Sequence, residues 1–318
     1  ALANWLPLAA ATLGLVVPLA MLALARTAGG PFAFPLDDAW IHLQYARNLA
    51  AHGAFTYFPG DPSTTGSTAP LFTLLEALAF KLTRNEFAIG LCLGLAAHAL
   101  FLWALARWAW RRLGHAGWAA LAVALVALDG RFGMLAASGM ETSLFFAGIA
   151  LAFLAWSEDD ALAAGLALGL ATGVRPEALL LAGVFAIDAA IARHAPRRWR
   201  AGLAALAVLV PAYAIFNRVT GGAAFPNTLA AKAAFYAGRP FAQFLRDDIG
   251  ATFAAAWLGL VPFAIVQAAV ELRRRFARRT GGKAATPAAA ARHGLAEIGW
   301  ASALPLAYAV VLPFSHRF

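Results

Sequence analysis

Apolar segments long enough to enter a membrane recur from one end of this chain to the other, and no long polar tract separates them. A bilayer core takes roughly 20 consecutive apolar residues per crossing helix, and within it every backbone polar group must be paired inside its own segment. That leaves a polytopic helical bundle as the expected architecture. Period-two alternation is lacking, which removes the β-barrel. The chain is 62% hydrophobic and 13% charged, against about 25% charged in an ordinary soluble domain. It therefore reads as one all-α membrane domain over 1–318 rather than a soluble domain with an anchor.

Spanning helices are expected near 4–25, 86–106, 117–137, 140–156, 160–174, 176–192, 199–217, 249–270 and 295–313, nine in all. Asp38 to His52 has helical spacing but is too polar to span, so it reads as an interfacial helix within a first outer loop, 27–85. Residues 69–82 are apolar, short, and carry Glu76 midway. The basic clusters decide how they run. If 69–82 dips in without crossing and 160–174 crosses, then Arg107-Arg111-Arg112, Arg193-Arg197-Arg198-Arg200 and the run Arg273 to Lys283 all share the cytoplasmic side with the N-terminus. The outward connections are then the first loop, the turns at 138–142 and 175–177, a second large outer loop at 218–248, and the end at His316-Arg317.

Orientation in the membrane also accounts for the net charge of +9, so nucleic acid is not an expected partner. The single Cys92 excludes intrachain disulfides and multi-cysteine zinc sites. The chain opens without Met and stops just after an apolar segment, and the expectation is that both ends are trimmed.

Asp37 and Asp38 follow the first apolar segment and precede the interfacial helix. Adjacent carboxylates at a membrane boundary repel one another and lose solvation, so they are capped, neutralised, metal-bound or put to chemical use. Capping of the helix at 38–52 is the competing role for one of them. Asp38 and His42, four apart, are spaced as two metal ligands would be, but two ligands do not make a site. No metal set is expected, and a divalent cation is the one cofactor left open.

Several short motifs stand in a specific order: Asp37-Asp38-Ala-Trp-Ile41 with Tyr45-Ala-Arg-Asn48, then Gly66-Ser-Thr-Ala-Pro-Leu-Phe72, Gly139-Met-Glu-Thr142, Arg175-Pro-Glu177, and Pro226-Asn-Thr228 with Ala231-Lys232. Over residues 34 to 232 this order resembles the GT-C membrane glycosyltransferases of bacteria, in the arabinofuranosyltransferase and mannosyltransferase-like branch that uses polyprenyl-phosphate sugars. Trp40 and His42 depart from the pattern. The resemblance implies a many-helix fold, catalytic acids in the first outer loop, and transfer outside the cytoplasm of the bacterial plasma membrane, in cell-envelope glycan synthesis. The partners it implies are a polyprenyl-phosphate sugar donor and a glycan, lipid or protein acceptor.

Carried onto this chain, the resemblance makes Asp37 the base for the acceptor hydroxyl, with Asp38 orienting hydroxyls or a cation. No general acid is needed, because cations in a low-dielectric site stabilise the departing phosphate. The Arg175-Pro176-Glu177 turn joins two apolar segments with almost no loop, and an arginine at that depth wants an anion. A lipid phosphate is one such anion, and Glu141 or Glu177 is another. Lys232 and Arg317 are the further phosphate candidates, with snorkelling to headgroups as the other role for Lys232. His42, Tyr45, Glu141, Glu177 and Asn227 are expected to line the substrate site, although Glu141 at a helix start also suits the helix dipole without any function. The alternatives are a transporter or flippase of lipid-linked sugars, which buried charge also suits, and a noncatalytic membrane assembly factor.

Overall fold

The computed structural model describes residues 2–30, 33–191 and 196–226, and among these every regular element is an α-helix. The expected helices at 249–270 and 295–313, Asn227, Lys232 and the end at His316-Arg317 lie outside the described residues. Contacts divide the chain into two compact units, Ala1–Ala182 with Ala192–Thr228, and Gly183–Ile191 with Leu229–Phe318. The candidate site falls within the first.

α1 (Leu2–Gly14) and α2 (Val16–Thr27) form one apolar run with a break at Leu15. Pro18 supplies the reason, since it lacks the N–H that would bond to the Gly14 carbonyl four residues earlier. α3 (Asp38–His52), the helix expected at the interface, has the bounds its spacing predicts and is closed by Gly53 in the left-handed conformation. α4 (Pro70–Ala79) starts on a proline and spans ten residues, about 15 Å at 1.5 Å per residue, too short to cross. α5 (Glu86–Leu113) is the longest of the described helices, capped by Asn85.

The segment 117–137, expected as one helix, is two. α6 (Ala116–Ala127) and α7 (Gly130–Ala137) meet at a 58° bend. Asp129 causes the break by accepting from the Arg131 amide and starting a new helix. α8 (Thr142–Ser157), α9 (Ala161–Val174) and α10 (Ala178–Ile191) follow as shorter apolar helices, and α11 (Pro196–Gly221) closes the described chain. Among the described residues, three helical stretches can cross a membrane by length and composition: Trp5–Thr27, Glu86–Leu113 and Trp199–Gly221; the bent α6–α7 pair makes a fourth if it is one span.

The core is apolar, as in a soluble protein, but the outside is apolar as well. Leu24, Leu125, Val208 and Val219 stand on the outside, whereas His42, Glu76, Glu141 and Asn217 are buried. Small residues set the close approaches, as they do between membrane helices. Gly165 of α9 meets the backbone of Gly202 in α11, and Gly94 of α5 meets Ala136 of α7. α5 packs on α1 and α8, α8 on α9, and α9 on α11, while α3 rests on α4 and α4 against α9.

Candidate functional site

Three segments far apart in sequence are locked together within this unit, and Phe34 fastens the first of them. Its ring lies over Gly139 and Gly90 and packs on Trp40 and Phe87. Gly139 has φ +72°, which side chains other than glycine's resist, and a Cβ there would meet the Phe34 ring at 2.7 Å. The tight turn from Ser138 to Glu141 is thus both shaped by glycine and sealed by Phe34. Ser138 completes it, donating to the Leu135 carbonyl and accepting from the Met140 amide.

α3 is held along its length. Asn48 donates to the carbonyls of Thr56 and Tyr57, Lys81 to that of Ala50, and Arg47 pairs with Glu86 at 2.9 Å. Tyr45 is buried, its ring against Phe55 and its hydroxyl bonded to Thr64. The structure places Tyr45 as the clasp that returns the first loop onto α3.

One turn below Asp38, His42 turns inward and begins a continuous polar network. Its Nδ1 lies 2.8 Å from Ser67 Oγ, which lies 2.6 Å from Thr73 Oγ1 on α4. Its Nε2 lies 3.2 Å from Glu141 Oε2, within ion-pair range but out of line for a hydrogen bond. Glu141 Oε1 accepts from Arg175 Nη1 at 2.9 Å, and Arg175 Nη2 donates to Glu177 Oε1 at 3.0 Å. A lone pair on Nε2 would face the negative charge of Glu141, so in a neutral His42 the proton belongs on Nε2 and Nδ1 accepts from Ser67.

Glu141 sits at the N-cap of α8 yet makes no capping bond, because its side chain is turned to His42 and Arg175. Burial by itself pushes its carboxyl up, but the neighbouring His42 and then the Arg175 charge outweigh burial and hold it at about 2. Arg175 is extended at the C-cap of α9, where the helix must end before Pro176. Of the two anions open to it in the sequence, Glu141 and Glu177 both engage it.

The predicted residues thus divide. His42, Glu141, Arg175 and Glu177 converge. Asp37 and Asp38 stand exposed at the start of α3, where Asp37 occupies the N-cap without a side-chain capping bond, and neither carboxylate has a hydrogen bond or ion pair among the described residues. Asp38 and His42, at positions four apart on one helix, share a face with about 5–6 Å between Cβ atoms. No group of three His, Cys, Asp or Glu able to hold a metal ion forms among the described residues. Ser67 and Thr73 extend the network from His42, and Glu76 lies one turn along α4 from Thr73; Ser67 stands in the Gly66–Phe72 motif and Glu76 midway in the apolar stretch, but none of the three is among the expected site residues. Their signal in the sequence was faint, two hydroxyls and one acid beside an otherwise apolar stretch.

No family model matches the chain, and no curated protein or solved structure matches it. The functional reading therefore rests on the residues and their geometry.

Proposed function

We propose that this chain is an inverting GT-C-type glycosyltransferase that moves a sugar from a polyprenyl-phosphate donor to an acceptor hydroxyl at the extracytoplasmic face of a bacterial plasma membrane. In this reading nine helices span, α4 is re-entrant, and the Glu141 and Arg175 turns face outward. Asp37 takes the acceptor proton while Asp38 orients the hydroxyl. The observation that carries the reading is the convergence of the first-loop helix, the Gly139-Met-Glu-Thr142 turn and the Arg175-Pro-Glu177 turn on one buried network, one helical turn from an exposed and unpartnered acid pair.

The network suits this chemistry because it fixes α3 rigidly beneath the acids, as positioned acid–base groups require. Arg175 is the donor-phosphate candidate within the described residues. A phosphate reaching it displaces Glu177 more readily than Glu141, whose side chain is 4% exposed against 11% for Glu177 and which is also tied to His42. Lys232 and Arg317 are proposed as further phosphate cations, with Asn227 at the acceptor.

Purified protein in lipid vesicles, given labelled polyprenyl-phosphate sugars and hydroxyl acceptors, tests the proposal. Asp37→Asn is expected to lower transfer by about 10²–10⁴, the usual share of a general base, with an unchanged unfolding midpoint. Full transfer by both Asp37→Asn and Asp38→Asn would remove the mechanism. Donor binding with no transfer, joined to movement of the lipid-linked sugar between leaflets, would assign a flippase instead.

A further inference from the structure

Glu76 lies midway along α4, fully buried, and neither of its carboxyl oxygens has a hydrogen-bond partner among the described residues. Thr73, three residues earlier and equally buried, is linked through Ser67 to His42. Residues three apart share a helix face, so Glu76 sits on the side of α4 that carries the network. Glu141 is near enough for its charge to act on Glu76.

An ionised carboxylate buried without a donor takes up a proton rather than keep its charge. Every described element packed on α4 leaves Glu76 in that position. α4 has no other titratable side chain. α3 turns His42 inward, while its Asp38, Arg47 and His52 are exposed and the Tyr45 hydroxyl is engaged by Thr64. α9 is apolar and ends at Arg175, which Glu141 and Glu177 hold. α5 brings Glu86, already paired with Arg47. Where two acids share surroundings and only one has cationic partners, a single proton stays with the other.

We propose that Glu76 and Glu141 form a buried carboxyl pair that binds one proton, with Glu76 as the neutral acid and Glu141 as the anion that orients His42 and Arg175. Glu76 is then a positioning residue, because its proton lets Glu141 remain ionised beside it. That role in catalysis rests on the transferase reading, but the proton does not.

Infrared spectra of the full chain in lipid bilayers read the proton without any transfer assay, so failure here and failure of the transferase reading are separable. At about pH 7.5, where ordinary carboxyls with a pKa near 4 are ionised, the wild type is expected to show a carboxylic-acid carbonyl band that shifts in D₂O and is lost in Glu76→Gln. A wild type lacking this band, or a band unchanged by Glu76→Gln, overturns the proposal. A band that appears only when sodium is withdrawn also overturns it, by assigning the site to a metal cation. Should Glu76→Gln fail to assemble, wild type labelled with carboxyl-¹³C glutamate decides: the band must move with the label, and an unmoved band sinks the idea.

Discussion

α8 carries a glutamate at each end, Glu141 at its N-cap and Glu158 at its C-cap, and both meet arginines. Sixteen helical residues separate them, about 24 Å at 1.5 Å per residue. At the first end the carboxylate is buried, shared between Arg175 and His42, and connected through them to α3 and α4. At the second, Glu158 lies 2.7 Å from Arg111 and 3.7 Å from Arg107, with every partner about a third or more exposed. Arg107 also covers the Trp103 ring at 5.6 Å, and the two arginines offset the repulsion that a helix C-terminus exerts on a carboxylate. The same pair of residue types makes a surface tether at one end and a buried centre at the other. Water decides which, because a screened pair gains and loses little, whereas a buried one cannot lose a member cheaply.

Substitution of Glu141 is the most severe way to test this contrast. Glu141→Gln strips the anion from between His42 and Arg175 in a buried setting, and the expected cost is about 3–5 kcal/mol, read from unfolding of the purified chain in lipid or detergent. A loss under about 1 kcal/mol would place Glu141 with the surface pairs. Acid supplies the next largest effect. The carboxyl of Glu141 is held at about 2 against 4.5 in its free form. Its stabilisation is therefore present above about pH 4.5 and fades as pH falls through that value towards 2, a change of about 3 kcal/mol by linkage. Unfolding midpoints across that window should fall in the wild type and fall less in Glu141→Gln. Parallel curves would show that the carboxyl is not held down in the folded protein.

The contrast also marks how far the sequence can be read. α3 was legible to the residue because its polar-apolar spacing and Gly53 are local signals, and Arg175 and Glu141 stood out as charges in apolar surroundings. Their pairing was not legible. Whether Arg175 faced a phosphate or a carboxylate depended on how α8, α9 and α10 pack, and no local pattern encodes that. Ser67 and Glu76 are visible in the sequence, but their place beside His42 and Glu141, like that of Thr73, is not, for a similar reason. A hydroxyl or lone acid in an apolar helix has many tolerable surroundings, and only the fold shows that Thr73 and Ser67 continue a chain to His42. The bend between α6 and α7 was written locally in Asp129 as an N-cap, but the apolar run across it outweighed that signal.

Gly139→Ala tests whether the buried end depends on the turn that presents Glu141. A left-handed backbone costs a non-glycine residue about 1–2 kcal/mol, and the new methyl would also press on the Phe34 ring. Adding Phe34→Ala relieves only the contact, so the double variant should lose less than the two single losses combined. Strict additivity would mean that Phe34 does not seal the turn.

At the far end of α8 the expected effects are the smallest. Glu158→Gln removes the partner of Arg107 and Arg111 but also removes a negative charge from a helix C-terminus, and these changes oppose one another. The net change should stay within about 1 kcal/mol and shrink further as salt is raised. A double-mutant cycle of Glu158→Gln with Arg111→Gln isolates the coupling, which should be a few tenths of a kcal/mol for so exposed a pair. If that coupling instead matched the one between Glu141 and Arg175, solvent exposure would not be what separates the two ends, and the buried network would lose its claim to be the special one.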